Sequence, residues 1–196
     1  MVKRYPVKSL AQAISFISSP FFVGIAAVVI ITLSQSGTTA QHSMWLATIL
    51  VPTFFLPFIF ICTGMAFHKI GDIHVTNKEE RTGAYLALVL SGILAFFLMR
   101  YVQGPPALKL FCLQISASAF AFLIINLFWK ISGHSGGIAA SCTVFALTLS
   151  PLWWLGLLTI PFVAWSRVYR GRHTWMQGVV GTLVGMSAPA LLFYIY

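Results

Sequence analysis

The chain is poor in charge, and poorest in acid. Of 196 residues only 8% are charged, and the carboxylates number three, Asp72, Glu79 and Glu80, all within 72–80. A soluble domain carries about 25% charged residues. This chain has too few to cover a water-facing surface, and it is predicted to be an integral membrane protein. The shortage of carboxylates argues against a Mg²⁺-dependent mechanism, because hard cations take several carboxylate oxygens. Cysteine is scarce as well. Cys62, Cys112 and Cys142 each fall in an apolar run with no paired spacing. That predicts small buried hydrophobes rather than a disulfide or metal set. With no cysteine in a polar segment, a zinc site would have only His134 and His173 to draw on. Internal repeats and low-complexity tracts are absent too.

What is present is apolar. Hydrophobic residues make up 59% of the chain, in runs at about 14–34, 45–67, 83–102, 108–129, 136–150, 152–166 and 175–196. Backbone in lipid must satisfy its own hydrogen bonds, so each run is predicted to be a helix. The expected fold is an all-α polytopic bundle of about six to seven transmembrane helices, forming one domain over 1–196. The basic start and continuous membrane pattern predict a retained first helix rather than a cleaved signal.

Each helix crosses once, so alternate connections share a side. The N-terminus and the segments 68–83, 130–137 and 166–177 fall together. So do Lys3, Arg4, Lys8, Lys69, Lys78, Arg81, Lys130, Arg167, Arg170 and Arg172, against only Arg100 and Lys109 opposite. The positive-inside rule puts the richer side in the cytoplasm. The net charge of +9 then reflects orientation and an anionic ligand in the bilayer, not nucleic acid.

Three segments on that side carry the chemistry. SRVYRGRHTWMQ (166–177) places Arg167 and His173 at a membrane boundary, and a guanidinium fork suits phosphate oxygens. Arg170 and Arg172 alone read more simply as helix-end cations reaching the headgroups. KISGHSGG (130–137) offers Lys130, Ser132, Gly133 and His134 at a helix start, where backbone N–H groups and the helix dipole favour an anion. NKEERTG (77–83) adds Lys78 and Arg81. Two histidines with many cations and almost no acid fit a metal-free phosphoryl transfer. One histidine would attack phosphorus and the other protonate the leaving oxygen, within a cage of cations and N–H groups.

Ser132-Gly133-His134, followed by Ser166-Arg167 and His173 in a Ser-Arg-x5-His spacing, resembles motifs two and three of the type 2 phosphatidic acid phosphatase superfamily. Those are membrane phosphatases related to vanadium haloperoxidases and bacterial acid phosphatases. The resemblance covers about 70–185. It implies His173 as nucleophile through a phosphohistidine, His134 as general acid, and Arg81, Ser132, Gly133 and Arg167 as phosphate ligands. Lys78 and Lys130 join that set by proximity. No cofactor is implied. The chain departs from the family pattern at His74 and Thr82 in motif one, at Ile131 before motif two, and at Gln177, where an acid usually orients the nucleophile. A glutamine oxygen can still fix the imidazole tautomer. The expected substrate is a membrane lipid phosphate or an isoprenoid diphosphate. A phosphotransferase on the same scaffold, and a non-catalytic lipid- or anion-binding or transport protein, stay open.

Overall fold

In the computed structural model, residues 5–71 and 78–195 are described, and they contain no strand. The chain enters through α1 (Tyr5–Ile17) and α2 (Pro20–Leu33). One run was expected here, but the chain divides at Ser18-Ser19. Pro20 has no N–H to continue the helix, and the residue before a proline favours extended backbone. Ser19 accordingly sits at φ −63°, ψ 144° and caps α2 by accepting from the Phe22 N–H.

α3 (Thr39–Leu50), a π-helical turn (Val51–Phe55) and α4 (Leu56–Ala66) form one continuous rod. The turn carries Pro52, which removes a ladder donor, and the wider coil accommodates the loss. α5 (Lys78–Tyr101) and α6 (Pro106–Phe128) pack along each other. α7 (Gly133–Thr148), a 3₁₀ stretch (Pro151–Thr159), α8 (Ile160–Tyr169) and α9 (Trp175–Ile195) complete the bundle.

Among the described residues, four helical segments are long and apolar enough to cross a membrane: Thr39–Ala66, Glu79–Tyr101, Pro106–Phe128 and Trp175–Ile195. α1 and α2 pass the same test only as a pair, bent by 46°, in the manner of a broken span or a re-entrant loop. The fold is thus the expected all-α membrane bundle, with fewer full-length helices than the runs predict. The difference lies in α7, at 16 residues, and in the run that divides into 3₁₀ and α8.

Large apolar side chains such as Phe58, Leu90, Phe97, Phe120, Leu183 and Leu191 point outward, as a bundle immersed in lipid requires. Cys112 and Cys142 are buried as expected, but Cys62 is exposed on α4. The core joins Val28, Ile31, Ile49, Met99, Leu108 and Phe145. Met99 and Leu108 place it toward the end of the bundle that holds Arg100.

α7 and α9 approach to backbone contact. A Cβ on Gly181 would come within 2.5 Å of the Ser132 carbonyl, and one on Gly185 would meet the Gly136 carbonyl. The GTLVG spacing of Gly181 and Gly185 is what lets two helices lie this close. It seats the start of α7 against the first turns of α9, and so brings 132–136 beside 173–177.

Candidate active site

Arg167 and His173 are set by the way α8 ends. Gly171 lies at φ +64°, left-handed backbone that glycine adopts without strain. Gly171 N–H bonds the Val168 carbonyl at 2.9 Å and Arg172 N–H bonds the Arg167 carbonyl at 2.9 Å. This pair is a Schellman closure. It folds the chain back so that His173 N–H reaches the same carbonyl at 3.4 Å. The Ser-Arg-x5-His spacing is therefore a helix end plus its cap. The Ser166 hydroxyl is not free for a ligand, since it donates to Val163 at 2.8 Å.

α9 then starts with a reciprocal cap. Gln177 N–H bonds Thr174 Oγ1 at 3.3 Å, and Thr174 N–H bonds Gln177 Oε1 at 3.2 Å. The same Oε1 lies 3.0 Å from His173 Nδ1. Because Thr174 N–H identifies that atom as the oxygen, Nδ1 must carry the proton and donate. Nε2 is left with its lone pair free.

α7 begins with Ser132 as N-cap, its hydroxyl accepting from Ser135 N–H at 3.5 Å. Ser132 N–H bonds the Gln177 carbonyl at 3.2 Å, which ties the two helix starts together. The N–H groups of Gly133 and His134 stand in the first turn, where no intrahelical acceptor exists. Arg81, in the first turn of α5, donates to the Ile131 carbonyl at 3.3 Å. Residues 133–137 also fit the letter of Gly-x-Ser-x-Gly. That elbow joins a strand to a helix, whereas Ser135 here is buried and hydrogen-bonded to Ser132 at 3.3 Å.

The sequence-predicted residues converge. His134 lies in electrostatic range of Arg167, His173 and Arg81, and Lys130 in range of Arg81, Arg167 and Arg172. The side chain of Lys78, with Asp72 and His74, lies outside the described residues. Burial holds His173 below its ordinary pKa. The Gln177 bond opposes this, and the charges of Arg81, Arg167 and Lys130 add to it. Burial, then Arg167, His173 and Arg81, likewise hold His134 down. Burial and the neighbouring cations also lower Lys130. All three depressions have a shared physical origin: positive charge gathered where water is scarce.

Three residues join the cluster that the sequence reading did not place there. Ser15 and Arg170 meet Arg167 directly, since the Ser15 hydroxyl accepts from Arg167 at 2.6 Å and from Arg170 at 2.7 Å. Arg170 is thus not simply a cation reaching for headgroups. Tyr85 lies near Gly133, its hydroxyl 3.6 Å from where a Cβ would stand. No local pattern marks Ser15 or Tyr85, because each is delivered by helix packing.

A cavity of about 400 Å³ opens beside the cluster, with Arg81 and Gly133 at one end and Phe16, Pro20, Phe58 and Tyr85 along its walls. A second space of about 210 Å³ continues from Pro20, Tyr85 and Gly133 toward Phe111 and Val144.

Fold and site together define a helical membrane bundle with a cationic, two-histidine centre at one end and an apolar cavity that borders it at Arg81 and Gly133. Residues 82–196 match the model of the PAP2 superfamily, and the chain belongs to that family. Arg81 stands just outside the matched segment. Membership suggests a phosphatase acting on phosphate esters, commonly those of lipids. No curated protein and no solved structure matches the chain.

Proposed function

We propose that this protein is a metal-independent membrane phosphatase for a lipid phosphate or prenyl diphosphate, working through a phosphohistidine. The observation that carries the reading is the junction of His173, His134, Arg81 and Arg167 with an apolar cavity ending at Arg81 and Gly133. The substrate's phosphate would sit among the cations and its tail in the apolar cavity.

In the first step His173 Nε2 bonds to phosphorus and the bond to the lipid oxygen breaks. His134 gives its proton to the departing alkoxide. Arg81, Arg167 and the N–H groups of Gly133 and His134 hold the equatorial oxygens. Ser132 fixes that N-terminus, and Lys130 adds charge at its rim. Water then attacks phosphorus while His134 takes its proton, the P–Nε2 bond breaks, and His173 is regenerated as inorganic phosphate leaves. His134 must be protonated for the first step, although burial and the neighbouring cations oppose that charge. An arriving phosphate dianion favours the imidazolium and supplies that shift. The excess of positive charge on the site's side supports a cytoplasmic orientation.

The test is inorganic phosphate release by purified protein from lipid monophosphates and prenyl diphosphates, with EDTA present. EDTA-resistant release that disappears in His173→Ala is the expected result. Full activity in His173→Ala would remove the proposed nucleophile. Transfer of phosphate to an added alcohol in place of release would identify a phosphotransferase.

A further inference from the structure

The family match begins at residue 82, yet a residue far upstream reaches into the site. Ser15 is 2% exposed, on a helix that packs against α8. The Ser18-Ser19 break before Pro20 lets α1 leave the line of α2 by 46° and lie there. A serine hydroxyl has two lone pairs and one proton. The Nη1 groups of Arg167 and Arg170 take up its acceptor capacity at 2.6 and 2.7 Å. No described acceptor takes its proton.

Next to it, Arg167 Nε is buried without a partner, and Arg167 itself is 8% exposed. Neither Arg167 nor Arg170 has a carboxylate partner among the described residues. Two guanidiniums converged on one neutral oxygen, with an unused N–H and an unused O–H beside them, form an incomplete arrangement. What completes it is an acceptor-rich anion.

We propose that Ser15 is a positioning and phosphate-binding residue of the active site, holding Arg167 and Arg170 converged and donating its own O–H to a phosphate oxygen. This rests on the phosphatase reading above. The N-terminal helix then completes the anion site instead of merely anchoring the chain, and Arg170 becomes a ligand alongside Arg167.

The test uses the full chain in detergent and orthovanadate as the phosphate probe, with binding measured by calorimetry. Variants are Ser15→Ala, Arg170→Ala, the double variant, and Ser18→Ala. Ser18 lies on the same stretch, and its buried hydroxyl has no partner. The expected result is about tenfold weaker binding in Ser15→Ala, the scale of a hydrogen bond to a charged group. Ser18→Ala should bind like wild type. The double variant should lose less than the product of the single losses, since the two residues act as a unit. With a turned-over lipid monophosphate, KM should rise in Ser15→Ala by more than kcat falls.

Wild-type affinity in Ser15→Ala would overturn the proposal and leave the phosphatase reading standing. Equal losses in Ser15→Ala and Ser18→Ala would also overturn it, by showing a purely structural effect. No vanadate binding by the wild-type protein would overturn both.

Discussion

Gln177 fills the slot in which the resemblance to the family implies an acid, and its Oε1 accepts from both His173 Nδ1 and Thr174 N–H. A neutral acceptor fixes the tautomer but gives a cationic ring little support. Burial and the neighbouring cations lower the His173 pKa, so the proposed nucleophile is expected to stay neutral at mildly acidic pH. We expect kcat/KM to show no loss near pH 6.5, where an ordinary imidazole takes a proton. Gln177→Glu should raise the His173 pKa, because a carboxylate favours the imidazolium, and move the acid limb to higher pH. A pH–rate profile of both proteins checks this.

The same depression has a stability consequence. Unfolded histidine binds a proton near pH 6.5, and the folded one only at lower pH. Between those values the unfolded state holds more protons, so stability must fall as pH falls through that window. Thermal unfolding from pH 7.5 to 5 should show that loss, reduced in His173→Asn. Arg167→Ala should lower kcat by about 100-fold or more, the scale for removing an oxyanion donor.

At the scale of elements, the Schellman end of α8 and the close α7–α9 contact set the site's dimensions. Gly171→Ala places a Cβ on left-handed backbone and should cost about 1–2 kcal/mol, while moving His173 away from Arg167. Activity should fall further than the melting temperature alone would predict. Gly185→Leu drives a side chain into the Gly136 backbone and should prevent stable folding, read by gel filtration and thermal unfolding.

Much of this level is legible in sequence. Gly171 after a basic helix end, Thr174-x-x-Gln177 opening the next helix, and Ser132 opening α7 are all local signals. The break before Pro20 was legible too, through Ser19-Pro20, but the length of the apolar run concealed it. The 3₁₀ stretch at Pro151–Thr159 carries no periodic signature that separates it from an α-helix. Ser15 was beyond sequence reasoning. A serine on an apolar helix gains meaning only from which arginines face it, and that is decided by how α1 packs.

For the molecule as a whole, α5 runs from Arg81 at the site end to Arg100 at the other, about 29 Å at 1.5 Å per residue. Among the described residues, the helix ends that bear the site gather most of the basic side chains. Arg100 and Lys109 mark the far side. Facing the site into the cytoplasm predicts a labelling pattern. Ser36→Cys, in an exposed turn at the far end, should react with an impermeant maleimide in intact cells. Lys69→Cys, at the exposed end of α4 on the site side, should react only after lysis. The reverse pattern would turn the protein over and favour a substrate presented from outside.

Phosphorylation of His173 is the central step of the proposed mechanism. The direct measurement is rapid acid-free quenching of the protein with a radiolabelled lipid phosphate, followed by peptide mapping. The expected result is an acid-labile, base-stable label on His173 that forms in wild type, accumulates when the water step is slowed in His134→Ala with an activated leaving group, and is absent in His173→Ala. Turnover without any such label, or a label that persists in His173→Ala, would contradict it.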